Sequence, residues 1–221
     1  MAQRVAELPL LRRLVLVALR PNLARAELER LADEARQHDC LALAVHGSRL
    51  ELVADRLAES RVKVAALVGF PFGAMDSDVK RFEVEAALDA GAQEIHAVVN
   101  HGRLKDRNDA AFVRELRDLR EAADERPFTA ILEMGLLTAE EADRAVQLAR
   151  DAEVQFVASA TGCAARPTSV EDVLRLREAA GPDLGLTAVG GINGPAEAQA
   201  LVDAGANRLG VFALAPFAPS E

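Results

Sequence analysis

Residues 155–162 read QFVASATG, and the order of residue types within that stretch sets the reading of the whole chain. A short apolar run, Phe156-Val157, gives way to small and hydroxylated residues and then to a glycine. A buried parallel strand looks like this where it opens into a loop, and in an α/β barrel that end of the strand faces the active site. Position 158, at the end of the run, is alanine.

Outward from this strand, a strand–helix alternation extends in both directions. Upstream, residues 11–19, LALAV (41–45), the apolar run within 62–74, EIHAVV (94–99) and FTAILE (128–133) read as strands. Between them lie amphipathic segments such as 24–37, with Leu28, Leu31 and Ala32 on one face, and 109–124. Helix starts carry capping signals: Asp76 or Ser77, Thr138 with Glu141, and Ser169 with Asp172. Downstream, 185–189 and 207–211 are further strands, separated by a helix that Pro195 starts and Gly205 ends. Seven or eight such units of about 28 residues predict a single (β/α)8 TIM barrel over residues 1–221. No G-x-G-x-x-G follows a strand, which argues against an open dinucleotide-binding sheet.

The composition is compatible with that fold. Half of the residues are hydrophobic but only 4% are aromatic, so the core is aliphatic. A net charge of −9 without a basic run predicts no nucleic-acid partner. The longest early apolar run, residues 14–19, is too short to span a bilayer, and the two cysteines make no disulfide framework. The expectation is a soluble cytoplasmic protein without a membrane partner.

Residues at the C-terminal ends of barrel strands are the candidates for chemistry. They include His46, His96, Asn100, Glu133 and Thr161. His96 and Glu133 together suit acid–base work, because a histidine titrates near neutral pH. His46, His96 and Glu133 are also the candidate ligands if a divalent metal is used; no cofactor is otherwise expected. Gly162, Gly190, Gly191 and Gly210 fall at strand ends six to eight, with Asn193 beside them. Such glycines serve either as tight turns or as a backbone cradle for a phosphate. Cys163 has no His–Asp partner in the sequence and reads as structural.

Several motifs together carry a family resemblance: LVGFPFG (67–73), EAALDAGAQEIH (85–96), VNHGRLK (99–105), ILEMGLLT (131–138), FVASATG (156–162), GGIN (190–193) and DAGANRLG (203–210). In this order and spacing the chain resembles the deoxyribose-phosphate aldolases, the DeoC family of class I aldolases. The resemblance implies a TIM barrel and a reversible aldol reaction joining acetaldehyde to glyceraldehyde 3-phosphate through a lysine Schiff base. It also implies a phosphorylated small-molecule ligand and a homodimer.

The resemblance fails where that chemistry occurs. The Schiff-base lysine of strand six falls at Ala158, and the lysine of strand seven that lowers its pKa falls at Thr187. The proton-moving aspartate of strand four falls at His96, and the serines that help to hold phosphate fall at Phe212 and Ala213. The chain has three lysines: Lys63 at the wrong end of a strand, Lys80 on an outer helix and Lys105 beyond a loop. None is expected to be a desolvated amine. Ala158 should leave open the space a lysine would occupy.

Two readings follow. In the first, the barrel acts on a small carbonyl or sugar-phosphate-like metabolite by acid–base, or metal-assisted, chemistry centred on His96 and Glu133. In the second, it is a non-catalytic relative that binds a ligand or a partner. Deoxyribose-phosphate aldolase activity itself is not expected without the two lysines.

Overall fold

In the computed structural model, which describes residues 3, 5, 8–163 and 166–217, eight parallel strands close into a barrel in sequence order. They are β1 Leu14–Val17, β2 Ala42–His46, β3 Lys63–Val68, β4 Glu94–Val98, β5 Phe128–Ile131, β6 Phe156–Ala158, β7 Gly185–Val189 and β8 Arg208–Val211. The helices are α1 Arg25–Gln37, α2 Leu50–Leu57, α3 Ser77–Asp89, the single-turn α4 His101–Lys105, α5 Asp109–Ala122, α6 Ala139–Asp151, α7 Val170–Ala180 and α8 Pro195–Asp203. The predicted alternation is therefore present in full. The first strand is shorter than expected, because a 3-10 turn takes up Leu10–Arg13.

Local chemistry sets the element boundaries. Asp76, Thr138 and Ser169 each accept a backbone N–H in the first turn of α3, α6 and α7, satisfying donors the helix leaves free. Thr138 with Glu141 and Ser169 with Asp172 form reciprocal capping boxes.

Alternation along the strands separates two cores. Outward-facing residues such as Leu43, Ala66, Ile95, Ala97 and Ala130 pack beneath the helices in the main core. Inward-facing residues fill the lumen: Val15, Val17, Ala42, Ala44, Ala65 and Leu67 on one side, and Val98, Ile131, Ala158 and Val189 on the other. Register places Leu67 beside His96, His96 beside Thr129, and Ala158 beside Thr187, so these residues share the inner wall. Among the described residues, no helix is long and apolar enough to cross a membrane.

Candidate functional site

The inner wall has a charged floor. Glu94 and His96 are two apart on β4 and face the same way, as do Arg208 and Gly210 on β8. Across the barrel, Arg208 Nη1 donates to Glu94 Oε2 at 2.9 Å, and its guanidinium lies 3.6 Å from the centre of the Phe156 ring. Both members of the ion pair are buried, at 2% and 3% exposure. Burial pushes the Glu94 carboxyl up, but the His96 imidazole and Arg208 guanidinium outweigh it and hold the group below its ordinary value of 4.5. Burial likewise lowers Arg208, against the pull of Glu94.

His96 sits one layer above. Its Nε2 is 3.6 Å from Glu94 Oε2, an electrostatic contact beyond hydrogen-bond range, and has no hydrogen-bond partner in the protein. Thr187 Oγ1, where the resemblance places a lysine, is also buried without a partner. Both residues line a cavity at the mouth of the lumen, together with Val17, Leu67, Phe70, Ile131, Ala158 and Val189. Its volume is about 20 Å³. That is room for a single water, whereas small-molecule sites usually occupy roughly 300–1,000 Å³. The space expected at Ala158 is thus filled. Ala158 packs with Val98, Ile131 and Val189 under the Phe70 ring, so a lysine pocket has become apolar core.

Of the other candidates, Thr161 and Gly210 share the cavity wall with His96, whereas His46, Glu133 and Asn100 do not. His46 Nε2 donates to the Leu19 carbonyl at 3.1 Å, and its ring meets Phe70 edge-on at 5.5 Å. Glu133, buried at φ +51°, accepts from Thr161 N at 2.8 Å and Thr161 Oγ1 at 2.6 Å, and is absent from the cavity wall. Thr161 Oγ1 in turn accepts from Cys163 N at 3.0 Å. The expected convergence of His46, His96 and Glu133 is therefore corrected: His46 is held by the Leu19 carbonyl, Glu133 by Thr161, and His96 faces Glu94 on its own strand. Among the described residues no group of three His, Cys, Asp or Glu side chains is placed to hold a metal ion. Asn100 caps α4 by accepting from Arg103 N at 3.2 Å, and His101 Nε2 donates to the Leu132 carbonyl at 3.0 Å.

The hydroxyls of QFVASATG are consumed within the fold. Thr168 Oγ1 donates its one proton to the Val189 carbonyl at 2.6 Å, so at 2.7 Å the Ser159 hydroxyl must donate to Thr168. Ser159 Oγ also accepts from Val189 N at 3.0 Å. These bonds lace β6 to β7. Cys163 is exposed, and burial by its neighbours raises its thiol, the opposite of an activated nucleophile.

The glycine turns are present: Gly190 and Gly210 are buried, Gly162 is half-buried and Gly191 is exposed. Gly162 and Gly190 adopt φ of +82° and +85°, the left-handed region that glycine enters without a Cβ penalty. A Cβ on Gly162 would lie 2.4 Å from Phe212 Cζ, and one on Gly190 4.0 Å from Phe212 Cε2. The Phe212 ring therefore lies over both turns, where the resemblance places a phosphate. Gly191 packs against Pro167, and Asn193 is exposed, its Nδ2 donating to Gly191 O at 3.4 Å. Gly210 lies within β8 instead of following it, and a Cβ there would strike Val189 at 2.8 Å. A cleft of about 430 Å³, lined by Gly162 and Phe212, opens between Leu19, Leu23 and Leu31, with Arg20, Arg30 and Glu34 on its rim.

Lys80 also departs from expectation. It lies on α3 but is fully buried, its Nζ donating to the Val98 carbonyl at 3.0 Å and to Glu115 Oε1 at 2.9 Å. Burial lowers this amine, with Glu115 opposing. It sits outside the barrel wall, against Gly69, and does not line the lumen cavity. Lys105 is an exposed partner of Glu141 at 2.6 Å, and Lys63 is exposed at the start of β3.

A family model for the DeoC/LacD family aldolases matches residues 16–207. The deoxyribose-phosphate aldolase 1 of Bacillus licheniformis is 39% identical over 197 residues, 89% of this chain and 88% of that one. The deoxyribose-phosphate aldolase of Streptococcus sanguinis is 40% identical over 195 residues, 88% of this chain and 89% of its own. Among solved structures, the aldolase QR15 matches with a TM-score of 0.89 at 28% identity, covering 93% of this chain and 92% of that one. The deoxyribose phosphate aldolase of Aeropyrum pernix shares the fold, with a TM-score of 0.87 at 24% identity over 97% of this chain and 94% of its own.

Proposed function

The chain belongs to the DeoC/LacD family of aldolases, and from that premise we propose that it is a member that has abandoned Schiff-base chemistry and serves as a non-catalytic binding protein. The observation that carries this reading is the lumen mouth. A cavity of about 20 Å³ walled mainly by aliphatic side chains admits no aldehyde and no sugar phosphate. The residue substitutions agree with it. Ala158 and Thr187 supply no amine, Phe212 occupies the place of a phosphate, and Arg208 with Glu94 neutralise each other on the floor. A ligand-sized space beside the mouth is the cleft at Phe212, with an apolar floor and a rim of two ion-paired arginines, Arg20 with Glu27 and Arg30 with Glu34.

The test uses the purified full chain with 2-deoxyribose 5-phosphate, and separately with acetaldehyde and glyceraldehyde 3-phosphate, followed by borohydride trapping and mass spectrometry. No aldol or retro-aldol turnover above the uncatalysed rate is expected, and no lysine adduct. Turnover, or an adduct on Lys63, Lys80 or Lys105, would overturn the reading.

One observation favours acid–base chemistry as the second reading. His96 Nε2 and Thr187 Oγ1 both lack protein partners at the cavity wall. Proton exchange from a small carbonyl compound, followed by NMR in deuterated water, separates the two. Exchange that His96→Gln abolishes would support this second reading.

A further inference from the structure

The cleft at Phe212 is built from three parts of the chain. The β1–α1 connection gives Leu19 and Leu23, α1 gives Leu31 and Glu34, and the segment after β8 gives Phe212 and Ala213. Leu214 N donates to Glu34 Oε1 at 3.3 Å, which ties the segment after β8 to α1 and holds two of the walls together. The volume of about 430 Å³ falls within the roughly 300–1,000 Å³ of small-molecule sites.

Two features set the chemistry of its ligand. The first is what stands where an anion would be held. Phe212 and Ala213 occupy the positions at which the resemblance places phosphate-binding serines, so two hydroxyl donors have become a phenyl ring and a methyl group. Phe212 is 46% exposed. The cleft thus presents an aromatic surface that the fold itself leaves in water, beside leucines on two walls. The second feature is a rim without net charge. Arg20 Nη2 donates to Glu27 Oε1 at 2.8 Å, and Arg30 Nη1 lies 3.6 Å from Glu34 Oε2. An anion entering the cleft would give up water against guanidinium groups already matched by carboxylates, and would gain little in return. A neutral ring gives up little hydration and covers apolar surface.

We propose that this cleft binds a neutral aromatic compound, its ring against Phe212 and its edges between Leu19, Leu23 and Leu31. The proposal rests on the reading of the chain as a binding protein and names the ligand class of that site. The exchange of hydroxyls for apolar groups that closed the phosphate turns also lined the cleft, so one change in sequence replaced a charged ligand with an uncharged one.

The test is titration of the full chain with N-phenyl-1-naphthylamine, a neutral probe, and with 1-anilinonaphthalene-8-sulfonate, which adds a sulfonate to the same skeleton. The protein has no Trp and no Tyr, so probe emission is read against a dark background. The neutral probe is expected to bind saturably, one per chain, and about ten-fold more tightly than the sulfonate. Phe212→Ala should weaken it about ten-fold by removing the ring it stacks on. Leu31→Glu, which sets a carboxylate into the wall beside Glu34, should weaken it by more than about ten-fold. Both positions are partly exposed, so both variants are expected to fold, which circular dichroism checks; if one does not, the other decides. Equal or tighter binding of the sulfonate would overturn the proposal. So would the lack of saturable binding of the neutral probe to wild type, or an unchanged affinity in a folded variant. Retro-aldol turnover would overturn the binding-protein reading together with this one, whereas an inactive chain that fails these titrations overturns this one alone.

Discussion

Replacing Glu94 by alanine tests whether the lumen is core or active site. Glu94 is the ionic partner of Arg208, whose guanidinium is 2% exposed and otherwise faces the Phe156 ring at 3.6 Å. Removing the carboxylate strands a cation where it can neither reach water nor lose its proton. The expected cost is about 3–5 kcal/mol, the usual penalty for breaking a buried pair from one side. For a domain of this size that corresponds to a fall of about 10 °C in melting temperature. Glu94→Gln keeps the shape and one hydrogen bond but loses the charge, and should cost about 2 kcal/mol. The paired change Glu94→Leu with Arg208→Met should recover most of the loss, because an apolar pair of similar volume removes both charges together. Denaturation by urea, followed by circular dichroism, gives the cycle. A loss below about 1 kcal/mol for Glu94→Ala would mean that water reaches Arg208 and the lumen is hydrated, which would refute the closed-core account. The same pair predicts a pH dependence. Because the folded Glu94 lies below its ordinary 4.5, its contribution is fully present above that value and is lost as pH falls through the lower folded value. Glu94→Gln should flatten this acid limb.

Three further changes probe the mouth. Phe212→Ser uncovers the Gly162 and Gly190 turns, so inorganic phosphate should bind saturably to the variant at concentrations where the wild type shows none; calorimetry with both proteins decides it. Ala158→Lys forces a long side chain into a cavity of about 20 Å³ and should destabilise the fold by about 1–3 kcal/mol without restoring retro-aldol turnover, as read by thermal melting and an aldehyde assay. Thr161→Val keeps volume but removes the hydroxyl that donates to the buried Glu133 carboxylate, and should cost about 1–3 kcal/mol in urea denaturation.

The barrel itself was legible in the sequence because its signals are local. Apolar runs of strand length, amphipathic segments and the Thr138 and Ser169 caps depend on residues three or four apart, and each appears where expected. The family motifs likewise located the ends of the strands, including Ala158 and Thr187 where lysines would stand. What the sequence could not decide is which side chains meet inside the closed sheet. Glu94 and Arg208 are 114 positions apart, and only the stagger of β4 and β8 around the lumen joins them. Their one local sign was alternation, which sets Glu94 on the face of His96 and Arg208 on the face of Gly210. Phe212, just past β8, reaches over the end of β7 to Gly162 beyond β6, and Lys80 is buried because Gly69 leaves it a slot. Glu133 left the expected site for a comparable reason: its left-handed backbone directs its carboxylate to the β6 loop, where Thr161 takes it. Alanine at 158 read as space; the tertiary structure turned that space into packing, because eight strands converging on one axis bring Val98, Ile131 and Val189 to it from three directions.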